Sequence, residues 1–256
     1  MEGIDVARVD EDQINWEAVK QGGKSFVIMR AYYRDGRDLD FPTFWPAARA
    51  AGLVRGAYLL MDLTADNPDI EVKGFLDTTG QLGPNDFPPV IDLEQIAQNP
   101  WDKTVVLANT RKLIDSFKQT IGIAPMIYTS ARVWSELLGN PTETGFSECP
   151  LWVKDYAHDD PLCPAEWGAG NYWIHQYAED AKGVAGVTGQ ADLNRFNVLQ
   201  LGATGPRAEW LQARLGLSGD RFDQATLSAV KLYQQRMRLQ QDGIVGVQTF
   251  SHLVWP

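Results

Sequence analysis

The chain has 256 residues, 44% of them hydrophobic, and a formal net charge of −10 at pH 7 from 23 basic and 33 acidic residues. That length and apolar content suffice for one barrel-sized domain plus a small second one, and the acidic balance argues against a nucleic-acid partner. The opening residues Met1-Glu2-Gly3-Ile4-Asp5 carry no secretory-type leader and no apolar run approaches a bilayer span, so the expectation is a soluble protein made in the cytosol.

Strand-like and helix-like segments alternate along most of the chain. A strand at 4–6 precedes a short helix at 15–20, capped by Asn15 and stopped at Gly22-Gly23. A strand at 25–31 follows, then a loop through Asp35-Gly36, a helix at 44–51 and a strand at 54–60. Asp66-Asn67-Pro68 reads as a helix start, with Val72, Phe75 and Leu76 leading to Gly80.

The next stretch, Pro88-Pro89-Val90-Ile91-Asp92-Leu93-Glu94, carries the chemistry. Its prolines bar a helix and Val90-Ile91 favour extended backbone, so a short buried strand is expected. On a strand Asp92 and Glu94 point the same way, about 6.5 Å apart along the backbone, with Val90 on their face and Ile91 and Leu93 on the other. Two carboxylates at the end of an apolar strand suit an acid poised beside an ionised partner, the pairing that glycosidic bond cleavage uses. Taken alone, Asp-x-Glu is also what a solvated strand-to-loop turn would show.

Val106, Leu113, Ile114, Phe117 and Ile121 then mark one face of a long helix ending at Gly122. A strand at 124–129, a short helix at 131–138 and a strand at 151–156 follow, and strands at 172–177 and 192–196 are linked by a Gly-rich segment. Such alternation indicates a parallel sheet, here an α/β barrel of about eight strands whose late crossover helices are reduced. Composition shifts at Leu201-Gly202-Ala203-Thr204-Gly205-Pro206, a linker signal, and helical stretches at 207–215, 223–239 and 247–253 make a small all-α unit. In the middle helix Leu227, Val230, Tyr233 and Met237 recur at helical spacing.

In parallel barrels chemistry sits at the carboxyl ends of strands. Asp5 on the first strand and Asp192 on the last become neighbours on closure, and Asp92 and Glu94 face the same opening. Tyr58, Tyr128, Trp152 and Gln176 also fall at or near strand ends, where they either contact sugars or pack the core. An acidic cluster of this kind also suits Mg²⁺ or Ca²⁺. His158, His175 and His252 show no ligand spacing, and no phosphate loop, dinucleotide fingerprint or Gly-x-Ser-x-Gly is present. Cys149 and Cys163 fit either two free thiols or one loop disulfide.

Gly3-Ile4-Asp5-Val6, Ile14-Asn15-Trp16, Phe26-Val27-Ile28, Gly56-Ala57-Tyr58, Pro89-Val90-Ile91-Asp92-Leu93-Glu94, Pro125-Met126-Ile127-Tyr128-Thr129, Leu151-Trp152-Val153 and Gly186-Val187-Thr188-Gly189-Gln190-Ala191-Asp192-Leu193-Asn194-Arg195-Phe196 occur in one order. Together they resemble the glycoside hydrolase family 25 lysozymes, N-acetylmuramidases with a modified β/α barrel, over about residues 3–198. Residues 208–215, Thr226-Leu227-Ser228-Ala229-Val230-Lys231-Leu232-Tyr233-Gln234 and Asp242-Gly243-Ile244-Val245-Gly246-Val247-Gln248-Thr249 resemble the three-helix peptidoglycan-binding module. The resemblance implies a catalytic barrel at 1–200, a wall-binding domain at 201–256, peptidoglycan as partner, a monomer, and neither cofactor nor metal. It implies Glu94 as general acid, Asp92 stabilising the intermediate as nucleophile or by orienting the substrate's 2-acetamido group, Asp5 and Asp192 shaping the field, and net retention. The combination looks like a phage endolysin that reaches the wall after the membrane is permeabilised; a catalytically silent wall-binding protein and a secreted antibacterial muramidase are the alternatives. Two departures touch substrate contacts and leave the four carboxylates in place. Arg30-Ala31-Tyr32-Tyr33-Arg34-Asp35-Gly36 stands where the family often has Lys-Ala-Thr-Glu-Gly, and Ala57-Tyr58-Leu59-Leu60 where it has Ala-Tyr-His-Phe.

Overall fold

Strands β1 (Glu2–Val6), β2 (Lys24–Tyr33), β3 (Gly36–Arg37), β4 (Val54–Leu60), β5 (Val90–Asp92), β6 (Met126–Thr129), β7 (Leu151–Lys154), β8 (Ile174–Lys182) and β9 (Gln190–Phe196) form one sheet in the order β1-β9-β8-β7-β6-β5-β4-β2-β3. A further β1–β2 pairing closes eight of them into a barrel, and β3 hangs on β2 as a short hairpin strand. The computed structural model describes residues 1–7, 13–33, 36–63, 67–94 and 102–255; Arg34, Asp35 and Asp66 of the sequence reading lie outside them.

Period-two alternation divides most of the barrel strands between two cores. Phe26, Ile28, Val90, Met126, Trp152 and Ile174 point into the barrel. Val27, Met29, Ile91, Ile127, Leu151 and Val153 point out, against helices α1 (Trp16–Gln21), α2 (Phe41–Ala50), α3 (Pro68–Thr79) and α4 (Lys103–Ile121). The caps read from sequence form: Asn15 Oδ1 accepts from Ala18 N at 3.1 Å, and Asn67 Oδ1 from Asp69 N at 3.2 Å. Gly122 ends α4 in the left-handed region at φ 78°, where a side chain would be strained. At 131–138 the expected helix is a π-helical turn, residues Val133–Leu137.

The sheet is not parallel throughout. β9 runs antiparallel to both β1 and β8, which corrects the expectation of parallel closing strands. With little more than a Gly-rich turn between them, β8 and β9 have no crossover, and so must form a hairpin. The consequence is favourable: Asp192 lies near the start of β9, which in this direction is the same rim as the carboxyl ends of the other strands.

Helices α5 (Pro206–Arg214), α6 (Gln224–Arg236) and α7 (Val247–Leu253) form the C-terminal unit. It is packed into the barrel, not suspended from it. Ala208, Leu211, Phe222, Val230 and Phe250 belong to the same apolar cluster as the barrel interior. The Phe250 ring lies 4.4 Å from Trp173, 5.5 Å from Phe196 and 6.0 Å from Phe87. Trp255 Nε1 donates to the Asp86 carbonyl at 2.9 Å, and Leu199 bridges to Val245. Phe26, Val54 and Phe87 stand at or before the amino ends of their strands, so the unit plugs the end of the barrel opposite the carboxyl-end rim. The segment 201–206, expected as a linker, is pinned: Gly202 N donates to Phe222 O and Gly205 N to Asp220 O, each at 2.8 Å. Helix α6 stops earlier than 239 because Arg238 takes φ 58°, leaving Met237 exposed.

Candidate active site

The inward faces of β1, β5, β6, β7 and β8 carry polar residues at their carboxyl ends, so closing the barrel gathers these residues at one rim. Asp5 pairs in register with Asp192 across β1–β9, and Gln176 with Asn194 across β8–β9. Gln176 Nε2 donates to Asp5 Oδ2 at 2.9 Å and to Asp192 Oδ2 at 3.1 Å, and Asn194 Nδ2 donates to Asp5 Oδ2 at 2.6 Å. The hydroxyls of Tyr128 and Tyr156 both donate to Gln176 Oε1, at 2.7 and 2.8 Å. That fixes the amide: with Oε1 taken by two hydroxyls, Nε2 faces the two carboxylates. Below, Trp152 Nε1 holds Asn194 Oδ1 at 2.8 Å, and the Tyr58 and Tyr128 rings pack on the Trp152 ring.

Across the mouth, β5 ends at Asp92, and Glu94 stands two residues beyond it. Glu94 is partly buried, and its Oε2 accepts from Lys154 Nζ at 2.8 Å. Asp92 is buried, and its Oδ1 has no hydrogen-bond partner among the described residues.

The electrostatics follow from burial and crowding of like charge. Burial, then Asp192, push the Asp5 carboxyl up to about 7, against the Asn194 and Gln176 hydrogen bonds that favour its anion. Burial, then Glu94, raise Asp92 well above the ordinary carboxylate range, with Lys154 pulling the other way. Asp192 is also raised, chiefly by burial, although the Asp180 amide donates to it. Burial opposes charge on Lys154, yet Glu94 keeps its ammonium above the usual value. Tyr58 and Tyr128, buried beside these acids, stay phenolic.

All four carboxylates read from sequence therefore share one mouth, as does Gln176. Tyr58, Tyr128 and Trp152 lie beneath it, with Trp152 only 2% exposed. Sequence reasoning missed Lys154, Asn194 and Tyr156. The signal for two of them was period two itself: Lys154 follows Trp152 by two, and Asn194 follows Asp192 by two. Among the described residues no group of three or more His, Cys, Asp or Glu side chains is arranged to hold a metal ion. Cys149 and Cys163 are both free thiols.

A closed α/β barrel with opposed carboxylates at its carboxyl rim is an arrangement that glycoside hydrolases use. The particular lineage is shown by family comparison: residues 4–187 match the glycosyl hydrolases family 25 model, and the chain belongs to that family. A peptidoglycan binding domain model matches residues 187–253, starting ahead of β9, which the structure places in the barrel. A bacterial lysozyme from Streptomyces coelicolor is 26% identical with a TM-score of 0.70, covering 77% of this chain and 92% of its own. A family GH25 lysozyme from Aspergillus fumigatus is 25% identical with a TM-score of 0.67, over 85% of this chain and 99% of its own. A muramidase from Trichobolus zukalii shares the fold at 24% identity and a TM-score of 0.68, over 77% of this chain and 93% of its own. No curated protein is detectably similar in sequence. The chain is thus a lysozyme-like muramidase of family 25 with a C-terminal peptidoglycan-binding domain.

Proposed function

We propose that the enzyme hydrolyses the β-1,4 bond between N-acetylmuramic acid and N-acetylglucosamine in bacterial peptidoglycan, with Glu94 as general acid. The observation that carries this reading is the pairing, at one rim, of a partly exposed carboxyl, Glu94, with a buried one, Asp92. Glu94 gives its proton to the glycosidic oxygen as the bond to the anomeric carbon breaks, then as carboxylate takes a proton from the attacking water. Asp92 accepts the N–H of the 2-acetamido group, whose carbonyl oxygen attacks the anomeric carbon, or attacks that carbon itself. Either route passes through two inversions and gives net retention. Asp5 and Asp192, bridged by Gln176, line the opposite side of the ring and hold sugar hydroxyls.

The biological setting that fits best is an endolysin acting as a monomer, which meets the wall once the membrane is permeabilised. A wall-degrading barrel fused to a wall-binding unit supports it. Digestion of purified peptidoglycan followed by mass spectrometry tests the activity: the expected fragments end in reducing muramic acid. Glu94→Gln is expected to lose at least about 100-fold in reducing-end release; a Glu94→Gln enzyme as active as its parent removes Glu94 from the role.

A further inference from the structure

A second cavity, of about 300 Å³, lies at the seam between the C-terminal unit and the barrel, remote from the catalytic rim. Its walls are Tyr233 and Met237 at the end of α6, Arg214 at the end of α5, His252 on α7, Trp255, and Pro84 from the barrel loop before β5. The barrel fixes its shape: His252 Nε2 lies 3.1 Å from Asn85 Oδ1, and the Trp255 indole is tied to Asp86. Arg214 and Met237 are exposed, the Arg214 guanidinium lying over the Trp210 ring with Nη1 3.5 Å from the Val254 carbonyl oxygen, and the half-buried Tyr233 and Trp255 line the cavity.

The charge here runs against the rest of the molecule. In a chain of net charge −10, none of the lining residues is acidic. Burial pushes His252 below its usual value, so Arg214 is the standing positive charge, and Arg236 and Arg238 flank Met237 in sequence. Two rings beside one guanidinium, in a volume at the lower end of ligand pockets, fit a pyranose whose C–H face stacks on the rings and whose attached acid meets the arginine.

We propose that this cavity is a wall-anchoring site for an N-acetylated amino sugar bearing an acidic stem peptide, with Tyr233 and Trp255 as its platform and Arg214 as its anion contact. It rests on the peptidoglycan reading of the C-terminal unit and adds to it a place and a chemistry. Because Pro84 and Asn85 belong to the barrel, the site is complete only with the unit docked. It opens at the opposite end from the catalytic mouth, so anchoring and cleavage engage different stretches of polymer.

The test uses full-length Glu94→Gln enzyme, so that the wall survives, sedimented with peptidoglycan stripped of secondary polymers. Arg214→Glu and Met237→Glu, each an acid placed at an exposed position, are expected to reduce the retained fraction's apparent affinity at least about five-fold with unchanged melting temperature. In two-dimensional NMR the Trp255 indole resonance, assigned with Trp255→Phe, is expected to shift with N-acetylmuramoyl tripeptide at lower concentration than with N-acetylglucosamine. Retention of both variants equal to their parent, or an unmoved Trp255 resonance, overturns the site while leaving the catalytic reading intact. A parent enzyme that does not sediment with the wall overturns the wall-binding reading of the unit and the site together.

Discussion

Lys154 Nζ sits 2.8 Å from Glu94 Oε2, a charge-assisted contact between the inward end of β7 and the acid just past β5. Each side chain keeps just under a third of its surface exposed, so the pair is neither a fully screened surface bridge nor a sealed one. With Glu94 as the proposed general acid, the ammonium must yield Oε2, or leave Oε1 as the donor, while the proton is being delivered. Once the proton is gone, the same ammonium stabilises the carboxylate that activates water in the second half of the reaction. On that reading Lys154 is a positioning residue for both halves. Lys154→Met is expected to lower kcat about 10-fold or more with little change in KM, and Lys154→Arg to restore most of it, measured by reducing-end release. Equal kcat in the Met variant would show the contact to be incidental.

The buried Asp5 gives the fold a pH dependence whose sign can be worked out. Its carboxyl titrates near 3.8 when exposed and at about 7 in the barrel, so between those values the folded state holds a proton that the unfolded chain has released. Its stabilising contribution is complete below about pH 4 and is lost as pH rises through about 7. Asp5→Asn keeps an acceptor for Asn194 and Gln176 and removes the buried charge. The variant is expected to melt several degrees above the parent at pH 8, a difference of roughly 2–4 kcal/mol at most, and to differ little from it at pH 4. Activity falls in the same variant. Thermal melts at the two pH values check the sign, and a larger gain at pH 4 than at pH 8 would reverse it.

Much of the site was legible because it depends on alternation along short strands. Gly3-Ile4-Asp5 and Val90-Ile91-Asp92 each place an acid on the inward face at the carboxyl end, and that is where the structure has them. Asp192 was placed correctly for a reason the sequence reading lacked: β9 runs antiparallel, so a residue near its start reaches the rim. Lys154 escaped because lysine at a strand end reads as a solvated charge until a partner from another strand is known, and Glu94 is sixty residues away. The docking of the C-terminal unit escaped for the same kind of reason. A Gly-Pro segment has the composition of a linker whether or not its amides find partners, and only Phe222 and Asp220 decide that Gly202 and Gly205 do.

That docking predicts that the two family matches unfold as one cooperative unit. Phe250, buried against Trp173, Phe196, Phe87 and Trp210, completes the barrel's amino-terminal end. Phe250→Ala is expected to cost about 3–5 kcal/mol by leaving a cavity at the junction. Truncation at residue 200 exposes Phe26, Phe87, Phe196 and Trp173 together, and the remaining barrel is expected to aggregate or lose its sharp melt. Calorimetry of the intact chain checks the underlying claim: one transition is expected, and two well-separated transitions would mean that barrel and helical unit unfold independently.

A last test concerns why the chain has glycine two residues before Asp5. A Cβ built on Gly3 would lie 2.5 Å from the Phe26 ring, inside any tolerable contact. Phe26 is fully buried and has its ring edge-to-face with Phe87 at 5.5 Å, so it has nowhere to retreat. Gly3→Ala must then push β1 away from β2, and Asp5 moves with it. The expected cost is about 1–3 kcal/mol, accompanied by a loss of activity larger than the loss of folded protein explains. Phe26→Leu alone is expected to cost about 1 kcal/mol. In the double variant Gly3→Ala/Phe26→Leu the two changes relieve one another, and the sum of the single costs should exceed the double by about 1 kcal/mol or more. Urea denaturation of the four proteins measures that difference; strict additivity would mean that the strand tolerates a Cβ at residue 3 without the ring giving way.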